Sequence, residues 1–140
     1  MRAEIDAFVK LQRIAVIGVS RQSTHFSRMV LKELQARGYD LALVHPVAME
    51  IAGLRCFRSI AEVDPPVEGA MVLTPPDEAH RIGAECVHAG VTRLWLYRGV
   101  QAPHGSQAVL DECPLMWLKN PAWFHAAHKG LRSIFGTLPA

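Results

Sequence analysis

The sequence has few of the residues that mark disulfide-rich, secreted or membrane proteins. Its three cysteines, Cys56, Cys86 and Cys113, are an odd number without a C-x-x-C pair, which indicates neither a disulfide framework nor a zinc knuckle. Cysteine usage of this kind favours a reducing cytoplasm. Acidic Glu4 and Asp6 precede the first apolar run, and no run approaches the roughly 20 residues that cross a bilayer. We therefore expect neither a signal peptide nor a transmembrane segment.

An excess of one charge is also lacking. The chain carries 15 Lys and Arg against 13 Asp and Glu, a net charge of +2, which is too small for a sequence-independent nucleic-acid binder. Of the 140 residues, 50% are hydrophobic and 20% are charged, which is enough apolar material for one core. The length predicts a single domain over residues 1–140.

Apolar runs that end in polar residues, glycine or proline alternate with amphipathic stretches. The runs cover residues 14–17, 41–44, 70–73 and 94–97, with a weaker fifth at 115–118. Short continuous apolar runs are typical of strands buried on both faces, and their alternation with helices predicts a parallel sheet. We expect an α/β, Rossmann-like three-layer sandwich with a five-stranded, mostly parallel sheet. An N-terminal helix within residues 1–12 and a C-terminal amphipathic helix are expected to flank it.

Two of the connections between these strands have the sequence pattern of a helix, and the third does not. Phe26, Val30 and Leu34 recur at helical spacing, and Gly38 follows as a stop. A second helix is expected over residues 77–90, with acidic residues in its first turn. Residues 49–66 hold glycine and prolines, and there we expect one brief helix and irregular chain.

The loop after the first strand, residues 18–25, is the main candidate for a ligand site. Ligands of doubly wound sheets bind beyond the carboxyl ends of the strands, and the free N–H groups of a helix that starts there attract phosphate. Gly18 would let a ligand approach the main chain, Ser20 and Arg21 would add a hydroxyl and a charge, and Ser23 or Thr24 would cap the helix. The alternative is that Gly18 only makes a tight turn and Ser23 only caps.

This loop departs from the pattern of NAD-binding proteins. Ser20 and Ser23 stand where G-x-G-x-x-G has its second and third glycines, and the second strand ends in His45 and Pro46, where an acidic residue would hold a ribose. The departure argues against NAD. NADP stays open because it needs a basic group and no acid.

Several short motifs stand in a specific order along the chain: Gly18-Val19-Ser20, Gly38-Tyr39-Asp40, Val44-His45-Pro46, Thr74-Pro75-Pro76 and Tyr97-Arg98-Gly99-Val100. Together they resemble the stand-alone bacterial CoA-binding proteins, which are similar to the N-terminal CoA-binding domain of the succinyl-CoA synthetase α subunit. The resemblance covers residues 12–118, which implies a CoA-binding core there and leaves a helical tail at 120–140.

The resemblance also implies which residues bind coenzyme A or an acyl-CoA. Those that would line the diphosphate are Gly18, Val19, Ser20, Arg21 and Ser23. His45 and Pro46 would flank the ribose or adenine, and Thr74, Pro75 and Pro76 would wall the nucleotide. Arg98 and Gly99 would lie where the pantetheine arm leaves.

No catalytic constellation is recognisable. The sequence has no G-x-S-x-G elbow, no H-E-x-x-H and no loop pair of carboxylates. His125 and His128 alone do not make a metal site, and Cys86 falls on an apolar helix face, as a buried, inert thiol would. We expect a non-enzymatic carrier, sensor or partner, with a redox or CoA-transfer role as the residual alternative.

The C-terminal tail has the pattern of an amphipathic helix. Trp123, Phe124, Ala127 and Leu131 recur at helical spacing, and such a helix would cover its own domain, pair with a second copy in a homodimer or lie on a membrane surface. The alternative functions are a small NADP-binding Rossmann redox protein and an interaction module that uses the C-terminal helix.

Overall fold

The computed structural model describes residues 2–119 as a single sheet with helices on both faces. The strands are β1 (Arg13–Ile17), β2 (Asp40–Val44), β3 (Glu50–Ile51), β4 (Leu54–Phe57), β5 (Gly69–Val72), β6 (Arg93–Leu96) and β7 (Gln107–Leu110). The helices are α1 (Arg2–Val9), α2 (Phe26–Ala36), α3 (Pro76–His88) and α4 (Pro114–Leu118), with a 3₁₀ helix at Ile60–Glu62. The predicted C-terminal amphipathic helix at 120–140, and the homodimer that depends on it, lie outside the described residues.

The strand order is β3-β4-β2-β1-β5-β6-β7. Every neighbouring pair is parallel except β3 and β4, so the mostly parallel Rossmann-like sheet is confirmed. The chain leaves the central strand β1 towards β2 on one side and later returns to β5 on the other. The carboxyl ends of β1 and its two neighbours therefore meet at a topological switch point, where open α/β sheets bind ligands.

The core lies on both faces of the sheet because successive strand residues point to opposite sides. In β1, Ile14 and Val16 pack with buried residues of α1, α2 and α4, while Ala15 and Ile17 pack with α3 and the 3₁₀ helix. These four of the five β1 residues are at most 5% exposed. The expected layering, with helices above and below a buried sheet, follows from this alternation.

The predicted number of five strands is wrong, since the sheet has seven. The run at 115–118 belongs to helix α4, which begins at Pro114, a residue whose fixed φ suits a first helical position. The last parallel strand is instead β7, which pairs with β6 from Arg93↔Gln107 to Leu96↔Leu110.

The segment expected to be mostly irregular contains a β-hairpin. Strands β3 and β4 pair antiparallel, and Ala52 and Gly53 between them have φ of 54° and 79°, as a two-residue type I′ turn requires. Strand β4 also pairs parallel with β2 through Val44↔Phe57. This pairing places the residues that follow β4 beside the end of β2. The expected brief helix is the 3₁₀ turn.

Candidate functional site

A cleft of about 800 Å³ opens at the carboxyl ends of β1, β2, β4, β5 and β6. Its size is within the range of pockets that enclose most of a small ligand or cofactor. Eight of the twelve predicted site residues line it: Gly18, Val19, Ser20, His45, Pro46, Thr74, Pro75 and Arg98. The structure therefore brings together the ends of strands that are far apart in sequence.

The other four predicted residues do not line the cleft. Arg21, Ser23 and Pro76 are exposed, and Gly99 is packed so closely that an added Cβ would lie 2.5 Å from the Cβ of Leu96. The ligand contacts that the resemblance implies for these four residues stay predictions.

Helix α2 begins with a cap that sequence reasoning assigned to the wrong residue. Neither Ser23 nor Thr24 caps it. The N-cap is His25, whose Nδ1 accepts a hydrogen bond from the N–H of Ser27 at 3.1 Å and lies 2.8 Å from the Ser27 Oγ. The N–H of Ser27 is therefore not free for a ligand.

Two serine hydroxyls, one in the loop before α2 and one in α2 itself, hold this loop. The buried Ser27 Oγ accepts from the N–H of Ser20 at 2.8 Å, and the Ser20 Oγ accepts from the N–H of Gln22 at 3.0 Å. The guanidinium of Arg28 donates to the Arg21 carbonyl at 3.1 Å. The backbone of the loop is preorganised by these bonds, while the Ser20 hydroxyl keeps its own proton to donate.

The floor of the cleft is a close contact between the ends of β1 and β5. Gly18 has φ of +98°, and an added Cβ would lie 2.9 Å from Thr74 Cγ2 and 3.0 Å from the Thr74 nitrogen. Thr74 is 9% exposed, and its Oγ1 is the one buried side-chain polar atom within residues 2–119 that has no hydrogen-bond partner. A buried hydroxyl without a partner is costly to the protein alone. Thr74 also lines the cleft, which makes its hydroxyl a candidate contact for a polar ligand atom.

Charge distinguishes the two helices that begin beside the cleft. The first turn of α3 carries Asp77 and Glu78, and Glu78 lines the cleft, whereas the first turn of α2 has no acidic residue. A carboxylate already compensates the positive end of the α3 dipole. The α2 end is therefore the better place for an anionic ligand group.

At the end of β2, His45 shapes the turn that follows. Its Nδ1 accepts from the N–H groups of Val47 at 3.0 Å and Ala48 at 2.8 Å. An Nδ1 that accepts must be unprotonated, so the neutral ring carries its proton on Nε2. Burial, and secondarily the positive charge of Arg21, lowers the pKa of His45 below its usual value. Both the hydrogen bonds that Nδ1 accepts and the lowered pKa keep the His45 ring neutral.

Protonation of His45 is expected to destabilise the domain. Because the pKa is lower in the folded chain, the unfolded chain binds more protons near its ordinary value of 6.5. The stability contributed by His45 is therefore complete above about pH 6.5 and is lost as the pH falls through the lower folded pKa. Urea unfolding from pH 8 to 5, in the wild type and in His45→Asn, measures this contribution. Asn keeps an acceptor but does not titrate, and identical pH profiles for the two proteins would contradict the role of the ring.

Comparison with known proteins adds to this geometry. Residues 12–118 match the family model described as "CoA binding domain". The chain belongs to this CoA-binding domain family. Among curated proteins, the uncharacterized protein YneT of Bacillus subtilis is 28% identical over 100 residues, which are 71% of this chain and 74% of YneT.

Solved structures share the fold of this CoA-binding domain. A hypothetical protein from Pyrococcus horikoshii aligns over 93% of this chain and 90% of its own, with 19% identity and a TM-score of 0.71. A dinucleotide-forming acetyl-coenzyme A synthetase from Ca. Korarchaeum cryptofilum aligns over 60% of this chain, with 27% identity and a TM-score of 0.56. The aligned part is only 18% of that synthetase, so the match concerns one domain of a larger enzyme.

Sequence reasoning missed several residues that line the cleft of this CoA-binding domain. Phe26 and Tyr97 form a stacked aromatic pair, Arg58 follows β4, and Ile82 and Arg81 face the cleft from α3. The 3.6-residue period marked Phe26 only as a helix residue, and no local signal connected it with Tyr97. Arg58 was missed because the parallel pairing of β4 with β2 was not predicted.

The structure also bears on the predictions for Cys86, for a metal site and for a transmembrane segment. Cys86 is fully buried on α3, which confirms the expected buried thiol, and burial raises the pKa of that thiol to about 12. Within residues 2–119, no group of three or more His, Cys, Asp or Glu side chains is arranged to hold a metal ion. His125 and His128 lie outside this part of the chain. No helix in the described range is long and apolar enough to span a bilayer.

Proposed function

We propose that the chain binds coenzyme A or an acyl-CoA in the cleft at the strand ends and acts without catalysis, as a carrier, sensor or partner. The observation that carries the proposal is the unpartnered, nine-tenths buried Thr74 hydroxyl on the cleft floor, opposite Gly18. Membership in the CoA-binding domain family supports a CoA compound as the ligand that would satisfy it.

The charges of the cleft support one orientation of this ligand. The diphosphate would lie at the start of α2, where the Ser20 hydroxyl is available and no carboxylate competes. Adenosine would lie towards the end of β2, against Pro46 and the neutral ring of His45. The cation of Arg58 on that side suits the 3′-phosphate that distinguishes CoA from NAD. The pantetheine arm would then extend towards Arg98.

The proposal of a non-catalytic role rests on the chemistry of the cleft residues. Its titratable side chains include His45, whose pKa is lowered by burial, and the Arg81–Glu85 ion pair, which lines the cleft from α3. Neither is arranged as a nucleophile with an adjacent base. The most buried thiol, that of Cys86, packs in the core and is not among the residues that line the cleft.

Replacing Thr74 by valine is expected to stabilise the free protein and weaken CoA binding. The change removes a buried, unpartnered hydroxyl at almost constant volume, so the free energy of unfolding should rise by about 1 kcal/mol. Losing one hydrogen bond to the ligand should lower the affinity for CoA about fivefold. Urea unfolding and titration calorimetry measure the two effects.

Thr74→Ser is the matched control because it keeps the hydroxyl, and it should retain CoA binding without the gain in stability. Calorimetry of the wild type with CoA, acetyl-CoA, NAD and NADP at two salt concentrations tests the ligand class. Binding confined to the CoA compounds and weakened by salt supports the proposal. Binding of NADP alone, or a Thr74→Val variant that binds CoA as tightly as the wild type, contradicts it.

A further inference from the structure

The aromatic pair Phe26–Tyr97 forms one wall of the cleft. Phe26 is the first residue of α2 and Tyr97 directly follows β6, and their ring centroids lie 5.3 Å apart at an interplanar angle of 29°. The N–H of Tyr97 donates to the Val72 carbonyl at 3.1 Å, which fixes the main chain beneath the ring. Both rings are half-buried and line the cleft, so apolar surface is presented to a ligand.

Tyr97 lies on the side of the cleft away from His45 and Arg58, and Phe26 reaches it from the start of α2. His45 and Arg58 follow β2 and β4, on one side of β1, whereas Tyr97 follows β6, two strands away on the other side. Two strand spacings are about 10 Å. The cleft therefore carries Arg58 on the β4 side and, on the β6 side, the aromatic pair together with Arg98.

Two further residues add an apolar side chain and a cation to the cleft. Ile82 lines the cleft from α3, and the Arg98 guanidinium lies 5.7 Å from the Tyr97 ring centroid. A guanidinium that stacks on an aromatic face leaves its edge able to donate to a carbonyl oxygen. A thioester offers these two features together, an acceptor oxygen and an apolar substituent beside it.

We propose that the pair Phe26–Tyr97 receives the acyl group of a bound thioester, so that the cleft prefers acyl-CoA with an apolar acyl group to free CoA. This inference rests on the proposed function and specifies its ligand class. Coenzyme A carries its charges at the nucleotide end and none along the pantetheine arm, so a nucleotide held beside His45 and Arg58 would direct the uncharged arm towards Tyr97. Aromatic side chains supply apolar contact area at a low cost in conformational entropy.

Calorimetry with CoA, acetyl-CoA, butyryl-CoA and 3′-phospho-ADP tests the inference in the wild type and in Phe26→Ala, Tyr97→Ala and Tyr97→Phe. The wild type should bind more tightly as the acyl chain lengthens, by up to about fourfold for each buried methylene. Each alanine variant should lose this dependence on chain length, and Tyr97→Phe should retain it because the stacked ring remains.

Three results would overturn the inference. One is a wild type that binds CoA and butyryl-CoA equally, a measurement that needs no variant to fold. The second is an alanine variant whose loss of affinity is the same for butyryl-CoA and for 3′-phospho-ADP, since the pair would then hold the nucleotide. In both cases CoA still binds and the proposed function stands. If the wild type binds no CoA compound, the proposed function fails and this inference fails with it.

Discussion

Gly18→Ala is expected to abolish measurable CoA binding and to destabilise the domain more than an alanine does at an unobstructed glycine of positive φ. The backbone φ of +98° costs an L-residue about 1–3 kcal/mol. The new Cβ would also meet the Thr74 nitrogen at 3.0 Å and the Leu73 carbonyl carbon at 3.1 Å. Both are main-chain atoms, so the ends of β1 and β5 must separate. That movement would displace Thr74 and disturb the bond from the Leu73 N–H to the Ile17 carbonyl.

Gly90→Ala is the matched control for Gly18→Ala. Gly90 has φ of +88°, and nothing lies within 4 Å of an added Cβ, so the variant has the backbone cost without the steric contact. Urea unfolding should show Gly18→Ala to be less stable than Gly90→Ala by about 1–3 kcal/mol, and calorimetry should find CoA binding only in Gly90→Ala. Equal stability of the two variants would show that the contact between the strand ends relaxes freely.

Trp95→Ala is expected to lower the free energy of unfolding by about 3–5 kcal/mol, the usual cost of removing a large buried aromatic side chain. Trp95 is 1% exposed in β6 and makes an edge-on contact with Phe8 of α1 at a centroid distance of 5.6 Å. Its Nε1 donates to the Glu112 carbonyl at 2.8 Å. One side chain thus connects the sheet to the N-terminal helix and to the segment that leads into α4.

Trp95→Phe separates packing from hydrogen bonding. It retains most of the ring contact with Phe8 but leaves the Glu112 carbonyl without this donor, so a loss of about 1–2 kcal/mol is expected. Denaturant unfolding monitored by circular dichroism measures both variants. If Trp95→Phe were as unstable as Trp95→Ala, the hydrogen bond would be the main contribution of Trp95.

The parts of the fold that were predictable from the sequence are those buried on both sides. Strands β1, β2, β5 and β6 consist largely of buried residues, and a strand covered by helices on both faces must be a continuous apolar run. Helix α3 was recognisable by its acidic first turn and its apolar period.

The edges of the sheet were less predictable because their residues are only partly buried. In β7, only Val109 is fully buried, and Gln107 is exposed, so the segment lacks the apolar run of a central strand. The stretch at 115–118 has such a run yet forms α4. A four-residue apolar run is compatible with either structure, and Pro114 favours a helix at this place.

The candidate site was predicted where it depends on the strand ends and missed where it depends on side-chain geometry. Gly18, His45 and Thr74 follow strands that could be recognised, and all three line the cleft. The capping by His25 was not foreseeable because histidine is not a preferred N-cap. The stacking of Phe26 on Tyr97 depends on the arrangement of α2 and β6 in three dimensions.

The two outer strands also bear on how this domain can associate. Strand β3 has two residues and runs antiparallel to β4, and β7, at the opposite edge, has four. A short edge strand offers few unpaired N–H and C=O groups to the backbone of another chain. Within residues 2–119, growth of the sheet across two molecules is therefore disfavoured, most of all at β3.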